Sequence, residues 1–157
     1  MKKGKIIASF TGTGKSSLTR EYCPPGLTIR DFDSADFSHI GRYDDGVRNP
    51  EYPGNYVKAI IEEIGHSDVV LISVIPEVVT VLIGEGYEVN LVYPTSDQKQ
   101  EYRDRYHNRR GSKKVAEMLT ANFDTFLERA RSLEGCKTII LEPGRYLSDV
   151  LPEILAQ

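Results

Sequence analysis

The residues with the clearest chemical meaning are Ser9-Phe10-Thr11-Gly12-Thr13-Gly14-Lys15-Ser16. The run nearly matches Gly-x-x-x-x-Gly-Lys-Ser/Thr, a loop whose backbone N–H groups converge on phosphate. Ser9 stands where that pattern has its first glycine. Gly12 and Gly14 admit backbone conformations barred to other residues, so neighbouring amides can turn toward one point. A helix opening at the end of the loop would add its positive dipole end. Lys15 can reach the β- and γ-phosphates of a nucleotide, and the Ser16 hydroxyl can ligate Mg2+. Thr11, Gly12, Thr13, Gly14, Lys15, Ser16 and Ser17 are therefore candidate nucleotide contacts. The competing reading is a flexible strand-to-helix turn with an exposed lysine.

A second group is Asp31 and Asp33. Residues two apart on extended chain point to the same side, so both carboxylates can face one site. An Asx turn or a helix cap would use the same residues structurally. A third group is basic: Lys99, Arg103, Arg105, Arg109, Arg110, Lys113 and Lys114 crowd into residues 99–114. Arg105 and Arg109 are four apart, so a helix puts them on one face. The planar guanidinium fork suits the oxygens of a phosphoryl group in transfer, and a solvated amphipathic helix is the alternative. Arg42, Tyr43, Arg48, Asn49, Tyr52, Asn55 and Tyr56 form a loop whose rings could stack a base and whose cations could hold a phosphate. His39, His66 and His107 make no metal pattern, and Cys23 and Cys136 read as small packing residues.

Those residues need elements to position them. Lys5 to Phe10 reads as a strand, Ser16 to Tyr22 as a helix, and Leu27 to Arg30 as a second strand. Residues 34–53 lose all period and read as a long surface loop with at most one helical turn. Tyr56 to Ile64 has helical spacing, and Val69 to Val74 is a doubly covered strand. Pro76 opens a helix ending near Gly84, and Tyr87 to Tyr93 is a strand. Ser96 is placed as the cap of a charged helix running to about Arg110. One longer helix is expected after Ser112, then a strand over Lys137 to Leu141 and a helix over Tyr146 to Leu155. Five apolar strands alternating with helices imply a three-layer α/β sandwich with a parallel sheet and right-handed crossovers.

Composition agrees. With 157 residues, 39% apolar and 27% charged, the chain fits one globular domain and not a disordered or disulfide-stapled class. The net charge of -3 argues against a global nucleic-acid footprint. The apolar stretch behind Lys2, Lys3 and Lys5 is too short for a secretory signal, and no stretch is long enough for a membrane helix. Cytoplasmic residence is the expectation.

With its loop Thr-Gly-Thr-Gly-Lys-Ser and this order of elements, the chain resembles P-loop small-molecule kinases, the group containing nucleoside monophosphate kinases, shikimate kinase and polynucleotide kinase. The segments Asp-Phe-Asp-Ser, Asn-Pro-Glu-Tyr-Pro-Gly-Asn-Tyr and Arg-Tyr-His-Asn-Arg-Arg-Gly look like bacteriophage and prophage proteins labelled nucleotide or adenylate kinases. The resemblance implies a single P-loop NTPase domain over 1–157, with an acceptor-side loop at about 34–56 and a lid at about 95–114. It implies ATP and Mg2+ as cofactors. It also implies that Asp31 supports the metal beside Ser16, and that Asp33 orients or deprotonates the acceptor. The usual acidic residue ending the third strand is absent, which leaves Glu77 as a rival to Asp31. Arg105 and Arg109 would be lid residues closing on ATP, with Arg103 and Arg110 in reserve. An Asn-Lys-x-Asp guanine reader and an Asp-Glu pair after the third strand are missing from the sequence, which disfavours a switch or assembly ATPase. The expected activity is phosphoryl transfer by Lys15, Asp33, Arg105 and Arg109 to a nucleotide-type acceptor. A modified pyrimidine in phage DNA is the alternative acceptor, no membrane partner is expected, and the oligomeric state is open.

Overall fold

A computed structural model describes residues 4–20, 23–40, 46–109 and 111–157 of the chain. Strand β1 (Lys5–Ser9) is central, and its side chains alternate between two apolar clusters, Ile6 and Ala8 in one and Ile7 in the other. That is the two-residue period of a strand covered on both faces. The chain continues through α1 (Lys15–Arg20), β2 (Ile29–Phe32), the short α2 (Ala35–Ser38) and a two-residue ribbon, β3 (His39–Ile40) with β4 (Val47–Arg48). Then follow α3 (Gly54–Ile64), β5 (Val69–Ile72), α4 (Pro76–Gly84) and β6 (Val89–Pro94). A 3-10 turn at Ser96–Gln98 leads into α5 (Lys99–Asn108), α6 (Lys113–Ala121), α7 (Phe123–Arg131), β7 (Lys137–Leu141) and α8 (Leu147–Leu155).

The five-stranded sheet has the order β2-β5-β1-β6-β7 and every pairing in it is parallel. β1 is held between β5 (Ile7 opposite Leu71) and β6 (Ile7 opposite Asn90). Strand order therefore reverses at β1, where a parallel sheet opens a crevice beyond its carboxyl ends. Helices α3 and α4 cover one face over Ile6, Ala8, Val70 and Ile72, while α1 and α8 cover the other over Ile7, Val69 and Leu71. A third cluster, Phe10 with Tyr102, Tyr106, Leu119, Phe123 and Leu127, packs α5, α6 and α7 above the end of β1. The three-layer parallel α/β fold expected from the sequence is the fold observed. No helix among the described residues is long and apolar enough to cross a membrane.

Local boundaries differ for identifiable reasons. The second strand is Ile29–Phe32 instead of 27–30, because pairing with β5 starts at Ile29 opposite Val69 and carries Asp31 in despite its poor strand propensity. The 34–53 region holds α2 and the β3–β4 ribbon within its described residues. Ser96 begins a 3-10 turn instead of capping α5, and buried Gln98 ties that turn to β7 through Nε2 to the Leu141 carbonyl at 2.7 Å. The helix expected after Ser112 is two helices broken at Asn122, whose side-chain amide donates to the Met118 carbonyl at 2.8 Å. Asparagine competes for backbone groups in this way, and the apolar stripe alone does not register it.

Candidate active site

The glycine loop fills the carboxyl end of β1. Ser9 still pairs with Val92, and the Phe10 N–H donates to the Val92 carbonyl at 2.9 Å. Extended backbone needs no glycine there, which explains how Ser9 replaces one. Gly12 and Gly14 then take φ of +92° and +99°. A Cβ on Gly12 would lie 2.8 Å from Tyr106 Cε1, and one on Gly14 would lie 3.3 Å from Tyr146 Cδ1. The backbone is thus pressed against aromatic rings on its outer side.

The loop's carbonyls are all satisfied. Thr11 O accepts from the Tyr106 hydroxyl at 3.0 Å and Gly12 O from Arg105 Nη1 at 2.9 Å. Thr13 O accepts from the Leu147 N–H at 2.8 Å and Gly14 O from the Leu18 N–H at 3.0 Å. The Thr13 N–H, on the same peptide as Gly12 O, turns back to the Phe10 carbonyl at 3.3 Å, so held oxygens leave the N–H groups of the other loop peptides to face the opposite side. Thr13 is fully buried and its hydroxyl donates to the Phe10 carbonyl at 2.8 Å, so its side chain braces the loop. Thr11, Gly12, Gly14, Lys15, Ser16 and Ser17 line a cleft of about 1050 Å³.

Asp31, Asp33, Glu77, Arg105 and Arg109 line the same cleft. Lys15 is half-buried and its ammonium donates to the Ser9 carbonyl at 3.4 Å. Burial pushes the Lys15 pKa down and Arg109 adds to that, against the pull of Asp31 and Asp33. Burial pushes Asp31 up, opposed by Lys15 and reinforced by Asp33. Desolvation thus outweighs the attraction of the two groups for each other. Ser16 Oγ donates weakly to Asp31 Oδ2 at 3.5 Å, while Asp31 Oδ1 is buried with no hydrogen-bond partner. An unpartnered carboxylate oxygen beside a hydroxyl is a hard oxygen donor set, and it fits Mg2+. The outward carbonyls, Lys15 and the cleft likewise fit the phosphates of a nucleotide.

Asp33 follows β2 and is exposed, and its Oδ1 accepts from the Ala35 N–H at 3.0 Å. The Asx turn weighed from the sequence therefore exists and uses one of its two oxygens. Glu77 lies in the first turn of α4. The two arginines differ sharply. Arg109 is exposed, with its guanidinium 5.7 Å from the Tyr106 ring centre. The Arg105 side chain is only 10% exposed, pairs with Glu101 at 2.7 Å and donates to Gly12 O and Arg145 O. Its guanidinium also lies 4.4 Å from the Tyr102 ring centre and 3.9 Å from that of Tyr146. Desolvated contacts of that kind contribute up to about 2 kcal/mol. Arg103 is exposed and does not line the cleft, and Arg110 lies outside the described residues.

The tyrosine loop has a different role from the base-stacking one weighed in the sequence. Tyr56 is fully buried, and its hydroxyl donates to the Phe32 carbonyl while accepting from the Ser73 N–H at 3.1 Å. It ties the ends of β2 and β5 together just beyond their last pair, Phe32 opposite Ile72. Burial raises its pKa and keeps it a neutral phenol. Asn55 donates to the Phe37 carbonyl at 2.9 Å, Arg48 lies over the Tyr52 ring, and none of these residues lines the cleft. Arg42 and Tyr43 lie outside the described residues. Sequence reasoning missed Glu101, Tyr102, Tyr106 and Tyr146. Their helical i, i+4 spacing at 102 and 106 was the available signal, obscured because tyrosine counts poorly as an apolar residue.

No family model matches this chain, and a search of curated proteins finds no sequence relative. Among solved structures, the chain is similar to a gluconokinase from Sinorhizobium meliloti 1021, at 19% identity with a TM-score of 0.58. The likeness covers 99% of this chain and 90% of that one. At this identity it is a likeness of fold, the three-layer α/β sandwich.

Proposed function

We propose that the chain is an ATP-dependent phosphotransferase acting on a nucleotide-type small acceptor. The observation that carries the reading is the loop whose carbonyls are all satisfied, placed beside Lys15, Ser16 and Asp31 at the strand-order reversal. Residues 1–157 act in this reading as one kinase domain, with 34–56 on the acceptor side and 95–114 on the donor side. The gluconokinase likeness supports a small-molecule kinase over a switch or assembly ATPase.

The loop amides and Lys15 hold the β- and γ-phosphates of ATP. Ser16 and Asp31 would hold Mg2+, which when bound neutralises charge on the phosphate oxygens and orients them. Arg109, exposed at the end of α5, meets the γ-phosphoryl oxygens as their charge redistributes. Asp33 accepts the proton of an attacking hydroxyl, or aligns the acceptor if the attacking group is already ionised. Tyr56 fixes the ends of β2 and β5, from which Asp31 and Asp33 reach the cleft.

The test is labelled ATP with Mg2+ against nucleosides, nucleoside monophosphates, gluconate and DNA carrying modified pyrimidines. Transfer to a nucleoside or monophosphate is the expected result. Label found only on gluconate or only on DNA would move the acceptor class. Hydrolysis without transfer to any of them would contradict the kinase reading.

A further inference from the structure

The helical face expected to carry both arginines is not formed: α5 ends at Asn108, and Arg109 caps it with extended backbone (φ -81°, ψ 160°), while Arg105 stays in its last turn. An arginine that closes on a γ-phosphate must present free donors to the cleft. Arg105 gives most of its donors to the protein itself, and its Nε is buried without a partner. Nη1 is committed to the Gly12 carbonyl at 2.9 Å, and Nη2 is shared between Glu101 at 2.7 Å and the Arg145 carbonyl at 2.8 Å. Its plane is enclosed by Tyr102 and Tyr146. Glu101 closes the circuit through Oε1, which accepts from the Gly144 N–H at 2.9 Å. The same short segment returns to the loop from below, since the Leu147 N–H donates to Thr13 O at 2.8 Å.

We infer that Glu101, Arg105 and Tyr106 form a clamp that holds the Thr11 and Gly12 carbonyls and, with the Thr13 N–H turned back to Phe10 O, fixes the loop backbone in the shape that offers its remaining amides to phosphate. They are positioning residues. The inference rests on the reading of this loop as a nucleotide site, but the clamp has a consequence without nucleotide as well. A guanidinium fork can hold two carbonyls and a carboxylate at once, while a lysine ammonium has neither the plane nor the spread. Satisfying the carbonyls in advance removes the ordering cost that a loose loop would meet on binding. Because the amides at this end of the loop serve the phosphates common to ADP and ATP, the clamp acts on both nucleotides alike. A γ-phosphate arginine acts on ATP alone.

The test uses the full chain and four variants: Arg105→Ala, Arg105→Lys, Tyr106→Phe and Arg109→Ala. Titration calorimetry with Mg·ADP and with Mg·β,γ-imido-ATP reads affinity, and urea unfolding checks that each variant is folded. Arg105→Ala should weaken both ligands by about tenfold or more, the equivalent of one charge-assisted hydrogen bond. Arg105→Lys should not recover the loss. Tyr106→Phe removes a single hydroxyl, keeps the packing, and should weaken both ligands by about threefold, a smaller loss in keeping with one neutral hydrogen bond. Arg109→Ala should weaken the ATP analogue only. In the absence of ligand, amide hydrogen exchange at Gly144 and Leu147 should quicken in Arg105→Ala. Loss confined to the ATP analogue in Arg105→Ala would overturn the clamp and return Arg105 to the γ-phosphate. Wild-type affinity for both ligands in a folded Arg105→Ala would also overturn it. If the unaltered chain binds neither ligand, the nucleotide reading itself fails. The clamp then stands or falls on the exchange result, unchanged exchange refuting it.

Discussion

The two ends of the cleft are built differently. At the nucleotide end, the backbone is fastened: four consecutive carbonyls, Thr11 to Gly14, each accept a hydrogen bond, and three tyrosine rings wall the glycines. At the acceptor end, side chains do the shaping. Asp33 is exposed in its turn and Glu77 lies at a helix start, while Asp31, between them and Ser16, keeps a buried oxygen with no partner. A site made of backbone can be rigid and general, because phosphate is the same in every nucleotide. A site shaped by carboxylates, one of them with a buried unpartnered oxygen, is costly until its ligand arrives, and its chemistry can change with single substitutions. The difference explains why donor chemistry is readable here and acceptor identity is not.

The largest expected effect is at the acceptor end. Asp33→Asn keeps the shape and the turn but removes the basic oxygen, so with a hydroxyl acceptor kcat should fall by roughly 10²–10⁴-fold. With a phosphate acceptor the change should mainly raise the acceptor's KM. Wild-type kcat and KM would leave Asp33 as a turn residue only, and the contrast between the two ends would lose its catalytic meaning.

Arg109→Ala is next. Loss of one preorganised donor to the transferring group should lower kcat by roughly 10²-fold with little change in Mg·ADP affinity. An unchanged kcat with the identified acceptor would make the end of α5 a solvated helix.

The backbone end is tested by Gly12→Ala. A φ of +92° and a contact of 2.8 Å to Tyr106 make a methyl group unwelcome there. Destabilisation of about 1–3 kcal/mol in urea unfolding is expected, the usual range for strain or overpacking. A neutral result would mean that the loop is loose, contrary to a fastened backbone.

The smallest effect concerns Asp31. Its folded pKa is raised by burial, so ionisation costs stability as pH rises from the ordinary carboxylate range through the folded value. At pH 7, above the ordinary carboxylate range, the ligand-free protein carries that cost. Asp31→Asn should therefore melt slightly higher than wild type at pH 7, with the gain vanishing below about pH 4. A lower melting temperature at pH 7 would show that the carboxylate is already compensated without a metal.

The sequence carries much of the nucleotide end and little of the other. The apolar runs at 6–8, 69–72 and 89–92 announce doubly covered strands, and the glycine-lysine-serine run announces the loop between the first of them and its helix. Asp31 was harder to place, because its entry into β2 depends on pairing with β5, a long-range fact that local propensity opposes. The break at Asn122 and the 3-10 turn at Ser96 turn on single side-chain bonds inside continuous polar or apolar patterns. Tyr56, Tyr102 and Tyr106 were invisible as architects of the site, since a tyrosine reads equally as core, edge or ligand platform until its hydroxyl has a partner. Which carbonyl Arg105 holds is a matter of tertiary distance, so helical spacing could pair it with Arg109 but could not separate their tasks.

The central claim, a prebuilt phosphate loop that binds nucleotide through Lys15, is tested most directly by thermal unfolding with and without Mg·ATP. The wild-type chain should melt higher with Mg·ATP, as any ligand that binds only the folded state requires. Lys15→Ala should keep the ligand-free melting temperature and lose that increase. An unchanged ATP-dependent increase in Lys15→Ala, or none in the wild type, would contradict the account.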